Sequence, residues 1–152
     1  MKIYCLYHEY ELYEDFMESK EIGFFDSMAE VEDLIKKYQV LPGFDLYPDR
    51  FFVQPVLLDN LSDESSQTSK DLKTKDVYAV YEVKICEKYD DEICSLLGCF
   101  TTLSKAESFA ESVKLNHTDE EKHISIEIYA RKIGLKGWCY GFTMWDDSDL
   151  DD

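Results

Sequence analysis

The side chains best suited to chemistry in this chain are carboxylates interleaved with tyrosines close to the N-terminus. The run from residue 9 to residue 15 mixes acids with aromatic rings. An exposed tyrosine among carboxylates suits recognition of another protein, because the ring supplies contact area with little loss of conformational entropy. We therefore predict a partner-binding surface consisting of Glu9, Tyr10, Glu11, Tyr13, Glu14 and Asp15. The alternative interpretation is a solvated hairpin edge whose tyrosines belong to the core.

A second candidate surface is the acidic C-terminal stretch, residues 144–152. Five of the last seven residues are aspartates, and Trp145 and Leu150 add apolar surface to them. Mixed acidic and apolar tails dock into basic grooves. The predicted partner-binding set therefore also includes Trp145, Asp146, Asp147 and Asp149. A chain end without fixed structure is the alternative interpretation of the same residues.

Catalytic chemistry has little support in the sequence. His8 beside Glu9 could act in acid–base catalysis, but no serine or cysteine nucleophile motif accompanies this pair. We favour a hydrogen-bonded histidine at the end of a strand. The sequence also lacks a glycine-rich phosphate loop, a nucleophile elbow and the ligand spacing of a metal site. We predict a protein that is not an enzyme, with no catalytic residue, no cofactor and no bound metal.

The net charge restricts the class of partner. With 33 acidic and 16 basic residues, the chain carries a formal net charge of −17 at pH 7. Such a field repels nucleic acids and anionic membranes and accelerates encounters with basic proteins. We predict a basic protein partner, without direct nucleic-acid binding and without membrane association. Solubility alone is the competing explanation of the acidity.

Cysteine usage and the N-terminus indicate a compartment. The five cysteines form no Cys-x-x-C motif, and the chain does not open with a basic segment followed by an apolar one. No apolar run approaches the ~20 residues of a membrane-spanning helix. Reduced thiols in a cytoplasmic protein are the simplest interpretation.

The elements that must position these side chains form a loose internal repeat. A Gly-x-Phe pattern at Gly23 precedes a predicted helix that ends at Tyr38, and the pattern returns 75 positions later at Gly98. Ser27 and Glu30 form a capping box at the first helix start, while Lys105 breaks the second box. The apolar stripes of the two helices match by position: Met28, Val31, Leu34 and Tyr38 correspond to Leu103, Ala106, Phe109 and Val113.

Each copy follows the order strand, strand, helix, strand, which predicts an α+β fold. We expect two tandem strand-strand-helix-strand units that share a mainly antiparallel sheet with two helices packed on it. The first unit spans residues 1–58, a polar linker spans 59–74, and the second unit spans 75–143, before the acidic tail. One unit has few residues with which to bury its sheet face, so we expect the two to form one compact domain.

Individual strands carry more specific predictions. Residues 2–8 are apolar on both faces, which predicts a central strand. Pro55 cannot donate a hydrogen bond to a ladder, so its strand is expected to lie at an edge or to contain a bulge. A hairpin is predicted from Asp76 to Glu87 and from Glu92 to Phe100.

Motifs in residues 2–58 resemble a family of small bacterial domains of unknown function. Members carry a Val-Tyr-x-Leu-x-His-Glu strand, a Gly-x-Tyr-Ser helix start and a Pro-Gly-Phe loop, and the counterparts in this chain begin at Ile3, Gly23 and Pro42. Members often end in a Trp-x-x-Gly-Phe element, for which residues 138–142 are the counterpart. The resemblance implies a fold but no activity and no catalytic residues. The second unit lacks the His-Glu pair and the Pro-Gly-Phe loop.

Small size, acidity and a cytoplasmic location also resemble the immunity proteins of bacterial toxin systems. That resemblance implies a binding protein that neutralises a cognate basic toxin, of nuclease type, by covering its active site. Two alternatives stay open. One is a homodimeric regulatory or structural module, and the other is a nucleic-acid mimic that blocks a DNA-binding protein.

Overall fold

The computed structural model describes residues 1–14, 16–61, 76–116 and 123–136. Its fold is α+β, as predicted, with two helices and six strands in this part of the chain. None of the helices described is long and apolar enough to cross a membrane. In chain order the elements are β1 (Lys2–Tyr13), β2 (Phe16–Phe25), α1 (Met28–Tyr38), β3 (Phe51–Leu57), β4 (Asp76–Cys86), β5 (Asp91–Phe100), α2 (Leu103–Leu115) and β6 (Ile124–Lys132).

The six strands form two three-stranded antiparallel sheets, in the orders β2-β1-β3 and β5-β4-β6. The single shared sheet predicted from the sequence is therefore wrong. Two isolated bridges, Phe24 with Ile133 and Leu58 with Cys99, join the sheets. The prediction of a central first strand is confirmed, because β1 lies between β2 and β3. Pro55 lies in β3, at the edge of the same sheet.

Burial on both faces explains why two sheets form. Ile3 and Cys5 of β1 pack in one cluster with Val77 and Ala79 of β4, so the sheets face each other. The opposite face of the first sheet contacts α1, whose Val31, Leu34 and Tyr38 are buried there. The opposite face of the second sheet contacts α2 through Ala106 and Ala110. The layers are thus helix, sheet, sheet, helix, each apolar face covered by a neighbour.

The two helices begin in the same way. The Ser27 hydroxyl accepts a hydrogen bond from the Glu30 amide at 3.4 Å, and the Thr102 hydroxyl accepts one from the Lys105 amide at 3.3 Å. Each bond satisfies one amide donor that has no partner within the helix.

The register of the two sheets also corresponds. In the first sheet the pairing shifts between Leu6 and Tyr7 opposite Gly23, and in the second it shifts between Val80 and Tyr81 opposite Gly98. A Cβ atom on Gly23 would lie 3.2 Å from the Phe25 ring, and one on Gly98 would lie 3.2 Å from the Phe100 ring. Glycine at these positions lets the aromatic ring two residues later pack against the strand.

Asp59, the first residue of the predicted linker, is tied to the second half of the chain. Its amide donates to the Cys99 carbonyl at 2.9 Å, and its carboxylate accepts from the Thr101 amide at 2.8 Å and the Thr101 hydroxyl at 2.7 Å. Lys105 Nζ lies 3.1 Å from the same carboxylate. Burial opposes ionisation of Asp59, but these hydrogen bonds outweigh it and lower its pKa. The rest of the predicted linker, from residue 62 onward, lies outside the described residues.

Candidate functional site

A groove of about 710 Å³ opens between the two sheets. Residues 17–21 of β2 and 91–96 of β5 form its two walls, while Cys5, Tyr7 and Tyr81 contribute from the central strands. Gln54 of β3 reaches across the joint between the sheets and donates to the Leu96 carbonyl at 3.2 Å. The groove therefore uses both halves of the chain, and neither half alone contains it.

Carboxylates dominate the charged groups of the groove. Five acids and one lysine line it: Glu9, Glu18, Glu21, Asp91, Glu92 and Lys20. Lys20 pairs with Glu18 at 2.7 Å, and Glu21 is held by Arg131 at 2.9 Å. Among the described residues, no cationic side chain forms an ion pair with Glu9, Asp91 or Glu92. The groove thus presents negative charge that an external cation would neutralise.

Glu21 joins the two sheets inside the groove. The Tyr81 hydroxyl donates to one of its carboxylate oxygens, and Arg131 Nε donates to the other at 2.9 Å. The Arg131 guanidinium also lies over the Tyr129 ring, 5.2 Å from the centroid. A guanidinium held by a carboxylate and an aromatic face is a favourable arrangement for arginine. Here it fixes β6 and β4 against β2.

Burial suppresses the reactivity of the tyrosines and of Cys94 among the described groove residues. Burial is the main cause of a raised pKa at the Tyr81 hydroxyl, and the negative charge of Glu21 adds to it. The pKa of Tyr7 is raised in the same way, by burial first and by the charge of Glu9 second. Burial followed by Glu92 likewise raises the pKa of the Cys94 thiol. These groups stay protonated near neutral pH, so they act as hydrogen-bond donors and contact surface. The arrangement favours reversible binding of a cation over covalent chemistry.

Apolar side chains stand beside the carboxylates. Met17 and Ile93, one on each wall, are 36% and 41% exposed. Both add apolar surface to the charged lining. A ligand that combines positive charge with aliphatic groups would satisfy both features.

The sequence-predicted site residues separate in the structure. Glu9 lines the groove, whereas Tyr10 packs against Tyr47 at 5.1 Å between ring centroids and is absent from the groove lining. Successive side chains of a strand point to opposite faces, which separates these two neighbours. Glu11 and Glu14 are exposed toward the turn that connects β1 with β2. The Tyr13 side chain, Asp15, Trp145, Asp146, Asp147 and Asp149 lie outside what the structure describes.

His8 is hydrogen-bonded, as predicted, but it lies in the middle of β1 and not at the strand end that the sequence predicted. It is fully buried, with its ring against Phe44 and Phe51 at centroid distances of 5.0 and 4.7 Å. His8 Nε2 lies 2.8 Å from the Tyr47 carbonyl oxygen, so this nitrogen carries the donated hydrogen. Burial lowers the pKa of His8, although the hydrogen bond and Glu9 partly oppose the shift. The histidine anchors the loop between α1 and β3.

Metal ligation finds no support in the described ranges, where no three His, Cys, Asp or Glu side chains converge on one point. The buried thiols do not change this. Burial raises the pKa of Cys99 to about 12 and also raises that of Cys5, which disfavours the thiolate that a metal would bind.

Sequence reasoning missed most of the groove. Tyr7, Met17, Glu21, Tyr81, Glu92 and Ile93 were not among the predicted site residues. The available signal was the repeat, because residues 17–21 and 92–96 are 75 positions apart. If two repeats face each other, their equivalent strands border one cleft.

Comparison with known proteins matches the chain to no family model, no curated protein and no solved structure. The groove geometry therefore carries the functional inference.

Proposed function

We propose that this chain is a non-enzymatic acidic binding protein of the immunity class, which neutralises a basic nuclease-type toxin by covering its active site. The observation that carries the proposal is the groove, where Glu9, Asp91 and Glu92 form no ion pair with any described cation. The exposed Met17 and Ile93 beside them add apolar contact area. Together they form a surface for a cationic, partly apolar partner.

Electrostatic complementarity gives the proposal its physical basis. A nuclease cleft is basic because it binds phosphate, so a protein that covers it gains from an acidic surface. The net charge of −17 accelerates the encounter over longer distances. The groove carboxylates, held on the two sheets, would pair with lysine or arginine side chains of the cleft. A bacterial cytoplasmic location belongs to the same proposal, as does resemblance to the small bacterial domain family.

The proposal extends to the origin of the fold, which we attribute to duplication of one strand-strand-helix-strand unit. Two features support it. The matching register shifts opposite Gly23 and Gly98 place the same irregularity in both sheets. The two bridges are also reciprocal, since Phe24 and Cys99 are 75 positions apart, as are Leu58 and Ile133. A twofold arrangement of equivalent units would produce both.

Capture of a partner, followed by an activity assay, tests the proposed function. The purified chain serves as bait for the product of the adjacent upstream reading frame, at about 0.05 M and about 0.5 M salt. We expect capture of a basic protein at low salt, weaker capture at high salt, and loss of its nuclease activity in the complex. Capture that does not depend on salt, or a complex that retains full nuclease activity, would contradict the proposal.

A further inference from the structure

The walls of the groove expose strand edges as well as side chains. Residues 91–96 of β5 all line it, without the alternation expected if only one face of the strand bordered the cleft. The four residues Glu92–Ser95 are all exposed. The groove therefore reaches the backbone of β5 from its side.

That side of β5 is open in the described part of the chain. Its ladder partner there is β4, while the hydrogen bond from Gln54 to the Leu96 carbonyl and the bridge between Leu58 and Cys99 both lie beyond the Glu92–Ser95 stretch. An edge strand presents a row of backbone N–H and C=O groups that another extended segment can pair with. The corresponding stretch of β2 is less accessible, because Glu18 and Lys20 are half-buried and joined by an ion pair.

We propose that the partner enters the groove as an extended, lysine- or arginine-containing segment that adds as a strand to the Glu92–Ser95 edge of β5. Strand addition supplies affinity through main-chain hydrogen bonds, while alternate side chains determine specificity. On one face of the added strand, cationic side chains would meet Glu9 and Glu92. Side chains on its other face would lie beside Ile93, which points to the opposite face of β5 from Glu92. This inference rests on the proposed function and specifies how the partner is held.

Charge selects this occupant over a second copy of the chain. Two copies that paired through β5 would bring two acidic groove walls, and two chains of net charge −17, against each other. Such like-charge contacts oppose association. A basic segment instead neutralises Glu9, Asp91 and Glu92, which have no described cationic partner.

Peptide binding to the full chain tests the proposal. The probe is a short capped peptide of alternating lysine and valine. A first control replaces every lysine with glutamate. A second control keeps all side chains but carries an N-methyl group on every backbone amide, which removes the hydrogen-bond donors from both edges of the peptide. We expect the probe to bind and the glutamate peptide not to bind. N-methylation is expected to weaken binding at least about tenfold, since each net hydrogen bond contributes roughly a factor of five.

Amide hydrogen exchange locates the bound peptide on the chain. In the free protein, the amides of Glu92–Ser95 that do not pair with β4 are expected to exchange fast, and peptide binding is expected to slow them. Equal binding of the N-methylated peptide would overturn strand addition while leaving an acidic binding groove, and hence the proposed function, intact. Slow exchange of these amides without peptide would show that the edge is already occupied and would also overturn it.

Two double variants test whether the groove carboxylates or the overall negative charge of the protein attract the peptide. The variant Glu9→Lys with Glu92→Lys changes one carboxylate on each sheet. The control Glu32→Lys with Glu107→Lys changes the net charge equally, at exposed positions on the two helices. We expect the first pair to weaken peptide binding at least about tenfold and the second to weaken it less. Equal losses would overturn the assignment of the peptide to this groove.

Discussion

Replacement of Asp59 by asparagine is expected to destabilise the protein, because this carboxylate joins the end of the first sheet to the start of α2. The Asp59 carboxylate accepts two hydrogen bonds from Thr101, at 2.8 and 2.7 Å, and lies 3.1 Å from Lys105 Nζ. The Asp59 side chain is only 7% exposed, so water does not substitute for these partners. Its backbone is left-handed, with φ of 56°, a conformation that asparagine adopts readily. The substitution therefore tests the charge and the acceptors without adding backbone strain.

The magnitude follows from the contacts. Asparagine keeps one acceptor oxygen but places an amide group where the other oxygen accepted a bond. One hydrogen bond to a charged group, about 1.5–3 kcal/mol, is lost. Lys105 is 52% exposed, so the ion pair contributes no more than about 1 kcal/mol. We expect Asp59→Asn to lower the free energy of unfolding by about 2–4 kcal/mol, and Lys105→Ala to lower it by at most about 1 kcal/mol.

The free energy of unfolding of both variants is measured by urea titration monitored by circular dichroism. The values are compared if the m-values are equal. The pH dependence provides an independent check. The pKa of Asp59 is lowered in the folded state, so its stabilising contribution is present above the unfolded pKa of about 3.9 and is lost as the pH falls through the folded pKa. The difference between the wild type and Asp59→Asn is expected to shrink toward pH ~3. A difference below about 1 kcal/mol at neutral pH, or one that does not change in acid, would refute this account of Asp59.

Further predictions concern packing and protonation. Gly23→Ala is expected to cost about 1–3 kcal/mol, because its Cβ would lie 2.6 Å from the Leu135 carbonyl oxygen, whereas Gly98→Ala is expected to cost less than about 1 kcal/mol, because its nearest contact is the Phe100 ring at 3.2 Å. Urea unfolding gives the free energy of unfolding of both variants. A larger loss of stability for Gly98→Ala would contradict the claim that the contact with Leu135 makes Gly23 the more sensitive position. Because burial lowers the pKa of His8 below that of the unfolded chain, the unfolded state takes up the proton first, and this residue reduces stability as the pH falls from about 7 toward 5. His8→Gln is expected to flatten that part of the stability profile relative to the wild type. Equal slopes for the wild type and His8→Gln would contradict this role of His8.

Local patterns in the sequence predicted the elements well. The helix that follows Ser27 ends at Tyr38 as expected, and the hairpin predicted from Asp76 to Phe100 is present as β4 and β5. Capping hydroxyls, apolar stripes and period-two alternation act over a few residues, so they can be read directly from the chain.

The arrangement of the sheets could not be predicted in the same way. Apolar residues on both faces of β1 require that both faces be covered, but a helix and a second sheet satisfy this requirement equally. The groove was missed for a related reason. Glu21 meets Tyr81 and Arg131, which are 60 and 110 positions away, and alternation shows which face a side chain occupies without showing what lies opposite. Of the predicted acidic stretch, Glu9 lines the groove because it continues β1.

The most direct test of the central claim is to measure the affinity of the captured basic partner for the two double charge-reversal variants. The account predicts that Glu9→Lys with Glu92→Lys weakens binding about 10- to 100-fold at low salt, that the difference shrinks at high salt, and that Glu32→Lys with Glu107→Lys has a much smaller effect. Equal affinities for the two pairs would contradict the claim that the groove between the sheets is the binding site.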